Sequence, residues 1–160
     1  MSSRVLVALR VPATPQEAFD AFTGEIGEWW RANPMFAFTP RSPGVLGFEP
    51  GPDGRLTETL ANGKVFEIGK VIAWEPPGRL VFGWRQASFV EDQATHVEVT
   101  FEAVGEETRV TVQHFGWDTV PAPHVARHGF PDAVFLRRHA EWWQDLLGAL
   151  RQHLGTGDVG

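Results

Sequence analysis

From Phe135 to Leu154 large side chains return at helical spacing: Phe135, Leu136, His139, Trp142, Trp143, Leu146, Leu147, Leu150 and Leu154. This period predicts one helix over about Ala133 to Leu154, roughly 33 Å long at 1.5 Å per residue. Its apolar face needs a large partner, and no comparable helix precedes it. What precedes it is a series of short β-rich runs: 4–11, 45–48, 55–60, 65–74, 80–85, 96–102 and 109–115. Asn62-Gly63 is a hairpin signal, and Pro-Gly and Gly-Glu-Glu turns punctuate the other joints. In 96–102 the alternation is clean, with Val97, Val99 and Phe101 facing one way and His96, Glu98, Thr100 and Glu102 the other. Consecutive hairpins of this kind form an antiparallel meander with one buried face.

Between the first and second strands lies TPQEAFDAF. Thr14 caps, Pro15 suits the first helical position and Glu17 completes a capping box. Ala18, Phe19 and Phe22 give this short helix its apolar face, Gly24 breaks it, and EIGEWW continues as a second short helix ending near Asn33-Pro34. The result is an α+β chain in which one long helix covers a curved seven-stranded antiparallel sheet. A helix about 10 Å wide cannot fill such a concavity alone. Large side chains must plug the gap, or an apolar cavity remains. Residues 1–154 read as one domain and 155–160 as a frayed tail.

Composition narrows the function. Twelve Phe and seven Trp without any Tyr supply ring surface that mostly lacks a hydroxyl, which suits a large apolar interior. The formal net charge is −6, with the basic residues scattered. No cationic footprint for nucleic acid or an anionic membrane is visible. With no cysteine, thiolate metal sites, disulfides and cysteine nucleophiles are excluded. The start MSSRVLVALRV is too short in apolar residues for a signal peptide, and no stretch approaches a membrane span, so cytoplasm is the expected compartment.

The pieces GKVIAWEPPGRLVFGWR, THVEVTFEAVGEETRVTVQHFGW and HAEWWQDLLGAL, with VPATPQEAFDAFTGEIGEWW before them, resemble one family. It is the activator-of-heat-shock-protein-90-ATPase-like branch of the START-like (SRPBCC) superfamily. The resemblance spans about Val5 to Leu154 and implies the helix-grip fold, its strand order and an internal cavity. It implies no single activity, because relatives include lipid carriers, hormone-binding proteins, polyketide aromatases and cyclases, and a co-chaperone domain. Function has to be argued from the site.

Alternation assigns Phe66, Ile68, Ile72, Leu80, Phe82, Trp84, Val97, Val99, Phe101, Val110, Val112 and His114 to the concave face. The helix adds Phe135, His139, Trp143, Leu146 and Leu150. Two polar members stand on these apolar rows, His114 and His139. One ends the last strand and the other lies in the first half of the helix, so both belong at one mouth of the cavity. There they either donate to backbone as core histidines or orient a ligand carboxyl or carbonyl and exchange protons near neutral pH. The expected function is binding of an apolar or aromatic small molecule. Phe66, Phe82, Trp84, Trp117 and Trp143 would be its walls, and His114 and His139 its polar contacts. The alternatives are a cyclase- or dehydratase-type enzyme using those histidines, and a surface that stimulates a chaperone ATPase. No metal or cofactor is expected. His124 and His128 have a zinc-compatible spacing but lack further ligands. The tryptophans are more simply core than a cation cage. On the helix, Trp143 should face the sheet and Trp142 the flank, against the short helices or solvent.

Overall fold

The computed structural model describes residues 4–30, 45–84, 95–116 and 132–156. Strand β1 (Arg4–Val11) is followed by helices α1 (Pro15–Gly24) and α2 (Ile26–Trp29). Strands β2 (Val45–Phe48), β3 (Arg55–Thr59), β4 (Val65–Glu75), β5 (Arg79–Trp84), β6 (Thr95–Val104) and β7 (Glu107–Phe115) come next, then helix α3 (Asp132–Thr156). They form one seven-stranded sheet in the order β1-β7-β6-β5-β4-β3-β2, antiparallel throughout. The long helix extends one or two residues beyond each predicted end.

Local chemistry explains the element ends. The capping box forms as read: Thr14 Oγ1 accepts from Glu17 N at 3.1 Å, and Glu17 Oε1 accepts from Thr14 N at 2.9 Å. Those hydrogen bonds hold the Glu17 carboxyl below its usual range. At the hairpin, Gly63 adopts φ +86, and Asn62 Oδ1 accepts from Lys64 N at 3.0 Å. A left-handed φ is available to glycine at no steric cost.

Two details differ from the pattern. Helix α2 ends at Trp29, before Asn33-Pro34, because Trp30 turns extended and puts its ring against Trp84, Trp142 and Trp143. Ile72 is 57% exposed instead of facing inward. The register of β4 against β5 shifts between Val71 and Ala73, and a second shift against β3 falls between Leu56 and Thr57. An extra residue reverses the side-chain phase, so Val71 takes the inward place.

Strand β4 is where the sheet bends. Its first half, Val65–Lys70, pairs with β3, and its second half, Val71–Glu75, with β5. At the junction Gly69 lies on the backbone of Gly83: a Cβ there would sit 1.9 Å from the Gly83 carbonyl oxygen. Only glycine permits that approach.

The concavity is packed differently at its two ends. Toward the β4–β5 and β6–β7 turns, α1 inserts Phe19 against Trp74 and Phe101, with ring centroids 5.1 and 5.4 Å apart, and Phe22 against Trp29 and Phe48 at 5.2 and 6.4 Å. Toward the other end α3 supplies His139, Trp142, Trp143, Leu146 and Leu147, all buried.

Candidate functional site

At that second end the strand register brings the polar residues together. Thr95 opens β6 opposite Trp84, the last residue of β5. His114, near the end of β7, lies opposite Val97. Thr95 Oγ1 donates to the Trp84 carbonyl at 2.9 Å and lies 2.8 Å from His114 Nε2. The hydroxyl proton is committed to the carbonyl, so Nε2 of His114 carries the proton and donates to Thr95. The other ring nitrogen is then an acceptor. Trp143 Nε1, which can only donate, points at His114 Nδ1 from 3.1 Å. His139 Nε2 lies 2.9 Å from the same Nδ1 and donates to it. Both sides of the ring thus require one neutral tautomer.

Burial keeps these rings uncharged. Neither histidine has any exposed surface. Desolvation pushes His114 well below the ordinary histidine value, with His139 and then His96 adding to it. Desolvation alone lowers His139 to about 3. A buried imidazolium is disfavoured in such a setting. The closed cluster therefore does not exchange protons near neutral pH, which is one of the roles the sequence allowed for the pair.

The rings around the histidines are in mutual contact. Trp84 lies 4.9 Å from His114, 5.6 Å from Trp142 and 5.7 Å from Trp143 between centroids. Trp30 lies 5.7 to 5.9 Å from Trp142, Trp143 and Trp84. These are edge-on and tilted packing distances, so the rings contact one another as core side chains do. Trp143 faces the sheet as expected. Trp142 touches Trp30 beside α2, as a flanking residue should, but it is buried and also reaches Trp84.

Of the residues read from sequence as ligand contacts, Trp84, His114, His139 and Trp143 come together in one buried group of rings, while Phe82 is buried with its ring 5.2 Å from that of Phe48. Phe66 is half-buried on β4, opposite Glu58 of β3, and packs at the margin of the core. Trp117, His124 and His128 lie outside the described residues. The sequence reading missed Thr95, Trp30 and Glu58. Thr95 shares the inward parity of Val97, Val99 and Phe101, so its place was legible. Glu58 shares the parity of buried Leu56 and is itself only 2% exposed; an acid in phase with an apolar row was the available signal.

A separate open depression of about 370 Å³ lies where β1, β7 and α3 meet, lined by Ala8, Leu9, Arg10, Arg109 and Arg151. Arg10 and Arg109 are cross-strand neighbours there, and Glu107 and Glu102 balance them at 4.0 and 3.6 Å. Among the described residues, no helix is long and apolar enough to cross a membrane.

Comparison with curated proteins by sequence finds no match. Solved structures do match. Protein MLL2253 from Mesorhizobium loti superposes with a TM-score of 0.67 at 19% identity, over 98% of this chain and 99% of that one. The Aha1 dimer from Colwellia psychrerythraea gives 0.62 at 17% identity, over 97% and 98%. Txn09, described as an anthrahydroquino-γ-pyrone synthase in complex with SUM, gives 0.53 at 28% identity, over 82% and 83%. The first two share the fold: a curled seven-stranded antiparallel sheet gripped by a C-terminal helix. Residues 12–155 match the family described as Activator of Hsp90 ATPase homolog 1-like protein. With nearly its whole length inside that match, and with the strand order and gripping helix the sequence had implied, the chain belongs to this family.

Proposed function

We propose that the chain binds an apolar or aromatic small molecule at the polar end of its concave face. One observation carries this proposal. At the α1 end the buried polar side chains are Thr23 and Thr108, each bonded to a backbone carbonyl, while Glu58, Thr95, His114 and His139 are buried toward the opposite end. Packing alone needs no polar residue there, because each buried polar group costs free energy unless it is hydrogen-bonded. Polar groups set into an otherwise aromatic wall are what orient a ligand in a concave site. Phe66, Phe82, Trp84 and Trp143 are the wall in this reading, with Trp117 assigned to it from sequence.

The test is a titration of intrinsic tryptophan fluorescence with polycyclic aromatic ketones, phenols and acids, repeated with Phe66→Ala and His139→Phe. Saturable quenching, weakened in either variant, is the expected result. A panel that leaves both fluorescence and melting temperature unchanged overturns the proposal.

A second reading, a ring-closing enzyme, rests on the 28% identity to a protein described as a synthase. In that reading the neutral histidine pair acts by hydrogen-bonding a carbonyl of a bound polyketone rather than by carrying a proton, since burial holds both rings uncharged. Turnover of such a substrate, lost in His139→Phe, would favour this reading. Retention on an Hsp90-class chaperone without any ligand binding would instead locate the activity on the surface.

A further inference from the structure

We propose that Glu25, Glu28 and His153 form a divalent-metal site that fastens the last turn of α3 to the α1–α2 junction. The three residues come from different places: Glu25 joins the two short helices, Glu28 lies within α2, and His153 lies in the last turn of α3. Their ligand atoms, two carboxylate oxygens and one imidazole nitrogen, all lie within 4.8 Å of one another. A tetrahedral zinc ion with bonds near 2.0–2.2 Å holds its ligands about 3.4 Å apart. His153 Nε2 and Glu25 Oε1 are already 2.6 Å apart, so rotations of surface side chains suffice to complete the set.

Electrostatics favour a cation at this point. The ion pairs among the described residues bring no lysine or arginine to Glu25 or Glu28. Glu25 is also the C-cap of α1, so the carbonyl ends of α1 and of the 25-residue α3 both meet this cluster. Helix C-termini carry partial negative charge and favour cations. Two carboxylates, one of them at the α1 C-terminus and the other in the first turn of α2, in a chain of net charge −6, leave a local excess of negative charge that a divalent ion offsets. One nitrogen and two oxygen ligands suit zinc, with a fourth position left for water. Nothing in the proposal depends on the concave site, so the two stand or fall separately.

Calorimetric titration of Zn²⁺ into chelator-stripped, tag-free protein tests it, alongside thermal melts. The expected result is one equivalent per chain and a melting temperature raised by about 5 °C at saturating zinc. His153→Ala and Glu28→Gln should each weaken uptake at least tenfold and remove the shift. Both positions are at the surface, so circular dichroism should match the parent, and Glu25→Gln serves as a third variant. Absence of uptake overturns the proposal. So does uptake that survives His153→Ala, or that disappears in a His124→Ala/His128→Ala double variant while His153 is intact.

Discussion

His139 and Trp143, one helical turn apart on α3, donate to the same atom, Nδ1 of His114, at 2.9 and 3.1 Å. The spacing i, i+4 puts both donors on one helix face, and the strand beneath supplies the acceptor. The helix is thus joined to the sheet by polar contacts in the middle of an aromatic core. Its axial position and rotation are fixed there together.

Removing the acceptor should be costly. His114→Phe keeps the volume of a ring but leaves two buried N–H groups without it. At about 1–3 kcal/mol for a stranded buried group, the expected loss is about 2–4 kcal/mol in urea unfolding. A loss below about 1 kcal/mol would contradict the network.

Acid should weaken the fold through the same pair. In the unfolded chain each histidine titrates near 6.5. In the folded chain His139 is lowered to about 3 and His114 well below its ordinary value. The unfolded state therefore takes up protons that the folded state refuses. The stabilisation is fully present above about pH 6.5 and is lost as pH falls toward the folded values, at about 1.4 kcal/mol per pH unit for each histidine. Urea midpoints should fall from pH 7 to pH 5, and His139→Phe should show a shallower slope. An unchanged slope in that variant would contradict this account.

Neighbouring tryptophans should prove nearly equal in cost. Trp143→Ala and Trp142→Ala each remove a large ring that is at most 4% exposed, so each should cost about 3–5 kcal/mol. Trp143→Phe should still lose about 1 kcal/mol, because the ring nitrogen that reaches His114 is gone. A near-neutral Trp142→Ala in thermal or urea unfolding would be inconsistent with its burial.

Two glycines should respond with opposite sign. Gly148 lies inside α3 with nothing within 4 Å of an added Cβ, so Gly148→Ala should stabilise by about 0.5–1 kcal/mol. Gly69→Ala would drive a methyl into the Gly83 carbonyl and should cost about 3 kcal/mol, at the upper end of overpacking penalties. Paired urea titrations check both.

The strands were legible because their signals are local. Asn62-Gly63, the His96–Glu102 alternation and the Thr14 capping box each act within a few residues. The phase of β4 was not legible beyond Ile68, since its register shifts arise where it changes partner from β3 to β5. The end of α2 depends on where the Trp30 ring finds its neighbours, which no spacing within EIGEWW reveals. His114 and His139 stood out as polar residues on apolar rows. That Trp143 and Thr95 fix the His114 tautomer requires β5, β6, β7 and α3 in place at once. The Glu25–Glu28–His153 cluster joins positions too far apart in sequence for any motif to report.

The pairing of β1 has a consequence for how the chain acquires its structure during synthesis. Arg4 is opposite Phe115 and Val11 opposite Thr108, and among the described strands β1 is an edge strand whose only neighbour is β7. Until β7 has left the ribosome, β1 lacks the described strand that it pairs with. Closing a loop that long is entropically costly, though the cost grows only slowly with length. Contacts of such high sequence separation slow folding. In the interval Val5, Leu6, Val7 and Leu9 form an apolar, β-prone segment with both backbone edges open, a feature associated with aggregation of incomplete chains. Moving the first eleven residues behind the C-terminus by circular permutation would bring β1 into existence after its partner, and would shift the balance between folding and aggregation at its source.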